Sequence, residues 1–340
     1  GMMAASWFIA VQAAYILLGD RIQSSAVLAA DSIPFILETG QEGGSSYGAF
    51  DVPAIEILRP HIPQALYALI MSRDVEAVAK LKSSRLGDRS GRTRVGGVKI
   101  IADGTFGSLT AAMEEDFSDA PGNRGFMILE ETALYELMLK THKAGLQLGI
   151  HAIGDRANRI CIELYEKILK SHPRQNHRHR IEHASILNPD LLRRAHALGL
   201  VLCVQPVFIH SDMPYLEKRI GKARMAHTYP FRSIVDIGLV AAGSSDAPVE
   251  TLSVLEAIEY AVTREGYVPE QAIGVAEAIA MYTINAAYAQ FEEDARGSIA
   301  KGKQADFVLL EENPLNVTAH EIHAIPVRAT IIAGEMKYPV

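Results

Sequence analysis

Lys99, His151, His183 and Asp246 each close an apolar, strand-like run: GGVKIIADG, LQLGIHAIGD, RHRIEHA and LVAAGSSDAP. An amine, two imidazoles and a carboxylate delivered from four strand ends could hold a divalent metal ion and use its bound water. Neutral imidazole is a good zinc donor. A lone strand-end histidine more often serves as a hydrogen-bonded structural residue; two on neighbouring strands favour a ligand pair. A carboxylate beside a metal-bound water can accept its proton and deliver it to a leaving group, so Asp246 is read as ligand and proton shuttle, with an N-cap for a helix from Val249 onward as the other reading. Lys99 lies among Val98, Ile100 and Ile101, where an ammonium ion is costly to desolvate. Either its stem is buried and its head reaches water, or its lowered pKa lets the neutral amine take up CO2 and become an anionic, two-oxygen metal ligand. Asp103, Gln205 and His210 follow strands and are candidate substrate contacts, although strand-end polar residues also cap helices.

The elements that must aim these residues alternate between strand and helix. Helical patterns end at Gly145, Gly199 and Gly238, and each glycine is followed by a leucine that opens an apolar run. Asn188-Pro189 reads as N-cap and first helical position, and Asp155 as the cap of the helix carrying Ile160, Leu164 and Ile168. Strands are expected at 33–38, 65–71, 95–101, 146–151, 178–183, 200–205 and 239–245. Short, continuously apolar strands separated by helices imply an α/β fold with a buried parallel sheet. The arrangement expected is a (β/α)8 TIM-type barrel, incomplete at its N-terminus, over residues 1–290, with a small β appendage over 291–340. In such a barrel the strand C-termini meet on the active face. A doubly wound sheet is the alternative, and no G-x-G-x-x-G or phosphate loop supports it.

Composition narrows the function classes. The chain has 340 residues, 49% of them hydrophobic, and a formal net charge of −7, which argues against broad binding to nucleic acid or anionic membranes. The partner expected is a small-molecule substrate. The two cysteines, Cys161 and Cys203, form no pairing motif, so a reducing, cytoplasmic setting is expected. Met2 to Leu18 is nearly apolar but has no basic lead-in and is short for a span; it reads as a buried helix. The basic stretch from Lys80 to Arg94 reads as a solvated loop.

Taken together, these motifs resemble the amidohydrolase superfamily, most closely its branch similar to N-substituted formamide deformylases. VGGVKIIADGTFGSLTA resembles the lysine strand and its loop, HAIGDRA and HRHRIEHA the fifth and sixth strand motifs, GSSDAP the eighth, and EAIAMYTINAAYA with GSIAKGKQADFVLLEENPL the closing helix and tail. The resemblance runs from about Ala65 to Tyr338. It implies that Lys99 is a carboxylated metal ligand, that His151 and His183 bind metal, and that Asp246 is the catalytic acid–base. The implied reaction is hydrolysis of an amide- or formamide-like C–N bond by water activated on zinc.

One family feature has no counterpart. Members begin with a strand carrying His-x-His, and here the only such pair, His177-Arg178-His179, belongs to the run ending at His183. One divalent ion rather than two is therefore expected. The chain reads as a fragment of an ordinary hydrolase, a short form using one metal, or an impaired relative acting as a scaffold or binding module. A deaminase or ester hydrolase on the same fold is a further alternative, since substrate choice lives in loops. Open sheet edges make a homo-oligomer the expected assembly.

Overall fold

The computed structural model describes residues 65–83, 93–247 and 249–338. The expected strand at 33–38 and the apolar segment Met2 to Leu18 lie outside the described residues. The remaining chain alternates as the sequence implies. Strand β1 (Leu66–Met71) is followed by helix α1 (Val75–Lys82), β2 (Thr93–Ile101), α2 (Glu131–Lys143), β3 (Gln147–Ala152), α3 (Asp155–Ser171), β4 (Arg180–His183) and α4 (Pro189–Ala197). Then come β5 (Val201–Val204), α5 (Phe208–Ile220), α6 (Phe231–Asp236), β6 (Val240–Gly243) and α7 (Val254–Thr263), with α8 (Val275–Met281) and α9 (Ile284–Ala289) closing the series. The strands form one parallel, six-stranded sheet in chain order, β1 to β6. The chain is thus α/β, with six strand units seen among the described residues.

Local chemistry explains the regularity. At the ends of α2, α4 and α6, Gly145, Gly199 and Gly238 take φ values of 71°, 66° and 75°. The following leucine N–H then reaches back five residues: Leu146 to Thr141 O, Leu200 to Ala195 O and Leu239 to Ile234 O. This is the Schellman arrangement, which satisfies late helix carbonyls and turns the chain into the next strand. Asn188 caps α4 as expected, accepting from Leu191 N–H at 2.9 Å. Asp155 does not cap α3. Gly154 holds that position, and Asp155 accepts instead from Glu114 N–H at 2.9 Å and Arg156 N–H at 3.0 Å.

The basic stretch is not wholly a solvated loop. Helix α1 covers part of it, and Arg94 is buried in β2, pairing with Glu292 at 2.8 Å and donating to Gln290 O at 2.6 Å. Arg178 likewise forks onto Glu293 and lies 3.7 Å from the Tyr288 ring centroid. These contacts stitch the segment after α9 to the N-terminal ends of the strands. Beyond them, β7 (Phe307–Leu310), β8 (Val327–Ile332) and β9 (Glu335–Tyr338) form an antiparallel sheet.

The strands' N-terminal end also holds a directed histidine chain. His179 Nδ1 accepts from Leu148 N–H at 3.0 Å, so its Nε2 donates to His142 Nδ1 at 2.9 Å. His142 Nε2 donates to His172 O at 2.9 Å, while His177 accepts from His179 N–H and donates to Leu198 O, each at 2.9 Å. Every ring is therefore neutral. Burial lowers all three pKa values, His177 to about 4.

Both cysteines are free and buried. Among the described residues, no helix is long and apolar enough to cross a membrane.

Candidate metal centre

Parallel register sets the inner rows. Lys99 pairs with Gly149, which pairs with Arg180; two residues on, Ile101, His151, Glu182 and Cys203 are level. Side chains level in a parallel sheet share a side. Lys99 is buried in this row, 1% exposed. Gly149 beside it must lack a side chain, since a Cβ there would meet Leu69 Cδ1 at 2.5 Å and Glu182 Oε1 at 2.7 Å. Glu182 is held by Arg180, Nε to Oε1 at 2.7 Å, with neither side chain exposed.

By strict alternation His183 should point away from His151, because His151 is level with Glu182. The chain avoids this by leaving the strand in a left-handed conformation, φ 70° at His183 and 48° at Ala184. The two imidazoles then meet with ring centroids 4.4 Å apart at an interplanar angle of 72°. Strain of this kind, off glycine, is characteristic of functional sites.

Each ring is oriented by a neighbour. Gln205 is 1% exposed; its amide nitrogen donates to Ser244 Oγ at 2.7 Å and more weakly to Cys203 O at 3.3 Å, which turns Oε1 to His183 Nδ1 at 2.9 Å. Nδ1 must then carry the proton. Nε2 is a bare lone pair, buried and without a hydrogen-bond partner among the described residues. His151 Nε2 donates to Gly104 O at 3.1 Å and lies 3.5 Å from Asp103 Oδ1.

Asp103 and Gln205 were expected to face substrate, but the structure turns both inward. Asp103 has no exposed surface and accepts three backbone N–H bonds, from Ala112, Ile153 and Gly154, at 2.9–3.0 Å. Burial pushes its carboxyl up to about 7, against the lowering pull of those donors. It pins the loop after β2 to the start of α3 and backs His151. His210 lies on α5 with its side chain 60% exposed, paired with Glu265 at 2.8 Å and stacked on Tyr260. Asp246 lies beyond β6 at φ 54°, half-buried. It is not an N-cap, since Ser253 caps α7 by accepting from Glu256 N–H at 3.3 Å.

Asp212 was not anticipated. It stands one turn after Phe208 on α5, and Phe208 stacks on His183 at 6.1 Å. Tyr215 and Tyr229 each donate a phenol to Asp212, both at 2.5 Å. The signal available in sequence was the Phe208–Asp212 spacing of i, i+4, which puts both on one helix face.

Among the described residues, no three His, Cys, Asp or Glu side chains converge as a ready cage. What is present is two buried imidazoles in contact, one with a bare nitrogen, and a buried lysine on the same sheet. That donor set fits a divalent ion held by two histidines and an anionic lysine derivative.

A sequence model of the amidohydrolase family matches residues 54–338. The Bacillus subtilis (strain 168) protein named as amidohydrolase YtcJ is 34% identical over 252 residues, 72% of this chain and 47% of that protein. The N-substituted formamide deformylase of Arthrobacter pascens is 27% identical over 252 residues, 72% of this chain and 46% of that enzyme. An uncharacterized metal-dependent hydrolase of Pyrococcus furiosus superposes with a TM-score of 0.73 at 28% identity, covering 87% of this chain and 59% of that one. The chain spans about half the length of the curated relatives it matches.

Proposed function

The chain belongs to the amidohydrolase family, and from that premise we propose that it is a metal-dependent hydrolase of an amide- or formamide-like carbon–nitrogen bond in a small molecule. The observation that carries the proposal is the His151–His183 pair, 4.4 Å apart, with Nε2 of His183 buried and bare. A buried imidazole nitrogen without a donor is costly unless something binds it.

His151, His183 and a carboxylated Lys99 would hold one divalent ion, zinc in the first instance. When bound, such an ion supplies a water of lowered pKa and polarises the scissile carbonyl. The chain's own residues do the rest. Gln205 and Asp103 hold the two imidazoles in position. Asp246, at the end of β6, would take up the proton of the attacking water and pass it to the departing nitrogen. A complete barrel, assembled as a homo-oligomer, is part of the same proposal.

The test is metal analysis of purified protein, before and after incubation with zinc and bicarbonate, followed by hydrolysis of N-formyl amines. About one equivalent of metal and metal-dependent release of amine are expected. Less than about a tenth of an equivalent after zinc and bicarbonate would overturn the proposal.

A further inference from the structure

His151 and His183 are 7% and 2% exposed, and Nε2 of His183 is shut off from solvent. A ligand can reach that nitrogen only if something above the strand ends moves. The loop after β2 lies there. It starts beside His151, whose Nε2 donates to Gly104 O at 3.1 Å. It then passes α5, where a Cβ on Gly107 would lie 3.7 Å from the Tyr215 hydroxyl. Helix α5 is the one whose Phe208 stacks on His183. The turn 104–110 thus runs from the end of β3 to α5, which follows β5, and crosses the end of β4 that carries His183.

From Met113 to Arg124 the loop doubles back as a flap. Met113 N–H donates to Arg124 O and Phe117 N–H to Asn123 O, both at 2.8 Å. Asn123 Nδ2 donates to Leu109 O at 3.2 Å, and Phe126 N–H to Thr110 O at 3.3 Å, so flap and turn are joined. The root is fixed by the buried Asp103, which accepts from Ala112 N–H. The far end is clasped by the end of α5 and the turn after it. Ser118 N–H donates to Arg219 O at 2.8 Å, and Arg219 pairs with Asp119 at 2.9 Å. Arg224 donates to Glu115 O at 3.1 Å, Asp116 O at 2.8 Å and Ser118 Oγ at 3.2 Å. Gly221, at φ 77°, allows this approach, since a Cβ there would meet Ser118 Oγ at 2.8 Å.

Root and clasp differ in kind. The Asp119 and Arg219 side chains are 16% and 21% exposed, and their pair is made through one atom on each side. Asp119 Oδ1 and Arg219 Nε have no hydrogen-bond partner among the described residues. A partly exposed, half-made pair holds weakly. Phe106 and Phe117, each 1% exposed, seat the loop, so closed is its resting state.

We infer that residues 104–125 are a gate over the histidine pair, kept shut by the clasp of Ser118 and Asp119 on Arg219 and Arg224. Ligands reach His183 when the clasp releases, while the root at Asp103 stays in place. The inference rests on the metal-centre reading in one respect: it takes Nε2 of His183 as the atom a ligand must reach.

A reversible lock tests it. A Cβ on Gly221 would lie 3.8 Å from Ser118 Cβ, the separation found in disulfides. Ser118→Cys/Gly221→Cys can therefore be cross-linked by oxidation, and the native Cys161 and Cys203 are buried. Oxidised and reduced forms of the same full chain are treated with diethyl pyrocarbonate, and modified histidines are read by mass spectrometry. His183 is expected to react about ten-fold more slowly when locked and to recover on reduction. His210, with its side chain 60% exposed, is the reference and should not change. Arg224→Met, without the cysteines, is expected to speed His183 modification by about the same factor, and it decides the matter if the cross-link fails to form. Equal His183 rates in locked and reduced protein, or an unchanged rate in folded Arg224→Met, overturn the inference. Zinc content of the same samples separates the two ideas: a lock that shields His183 in protein that takes up no zinc would sink the hydrolase reading alone, and zinc uptake with equal rates this one alone.

Discussion

Gln205 Oε1 lies 2.9 Å from His183 Nδ1, and this contact decides which nitrogen of His183 can meet a ligand. The amide is itself oriented by Ser244 at the end of β6, at 2.7 Å. The bond thus ties the strand end that leads to Asp246 to the ring that faces His151.

Replacing Gln205 by Leu is expected to release this constraint. The imidazole nitrogen shifts of His183 in 15N-labelled protein should move from a pure Nδ1–H tautomer toward a mixture. Zinc affinity should fall about 10- to 100-fold, the usual effect of losing a partner behind a ligating histidine. Gln205→Glu keeps an acceptor and should retain the Nδ1–H form. An unchanged tautomer in Gln205→Leu would remove Gln205 from this role.

Lys99→Met tests the buried lysine. The thioether fills the volume without an amine, so metal content should fall roughly ten-fold or more and lose any dependence on bicarbonate. Equal metal content in wild type and variant would show that Lys99 is not a ligand.

Gly154→Ala probes the link between loop and helix. A Cβ there would lie 2.0 Å from Ala112 O, a backbone atom that cannot rotate away. The same turn gives Asp103 one of its three N–H bonds. A loss of about 1–3 kcal/mol in urea unfolding is expected, together with weaker metal binding through His151.

The Arg180–Glu182 pair should behave as a unit. Glu182→Leu leaves a fully buried guanidinium unanswered and should cost about 3–5 kcal/mol. The double variant Arg180→Met/Glu182→Leu should recover most of that loss in the same denaturation assay. A double variant as unstable as the single would mean that the pair's worth lies in its shape.

Acid should weaken the fold through the histidine chain. His177 drops from 6.5 to about 4 on folding, so the unfolded chain takes up the proton first as pH falls. The stability of the neutral ring is complete above 6.5 and is lost as pH falls toward about 4. His177→Asn keeps an acceptor for His179 N–H but has no proton to gain. The slope of stability against pH near pH 5 should therefore fall by up to about 1.4 kcal/mol per pH unit, one proton's worth. An unchanged slope would exclude His177 as a source of acid sensitivity.

The six described strands and the placing of His151 and His183 at strand ends were legible in the chain itself. The signals are local: a glycine that can turn left-handed, a leucine that follows it, and an apolar run of the right length. Local signals also placed Gln205 and Asp103 near the site, but not what they do there. Periodicity cannot say that Asp103 faces three amides from two other segments, or that Gln205 meets a histidine 22 residues away. The basic run from Lys80 to Arg94 read as solvated because charge alone suggests solvent, yet Arg94 finds Glu292 far along the chain. Asp212 gave almost no sign, since Tyr229 and Arg264 reach it from 17 and, through Tyr229, a further 35 residues away. Backbone conformation is set by neighbours in sequence. The partner of a buried charge is set by whichever distant group the packed chain brings within hydrogen-bond reach, and only the tertiary structure decides that.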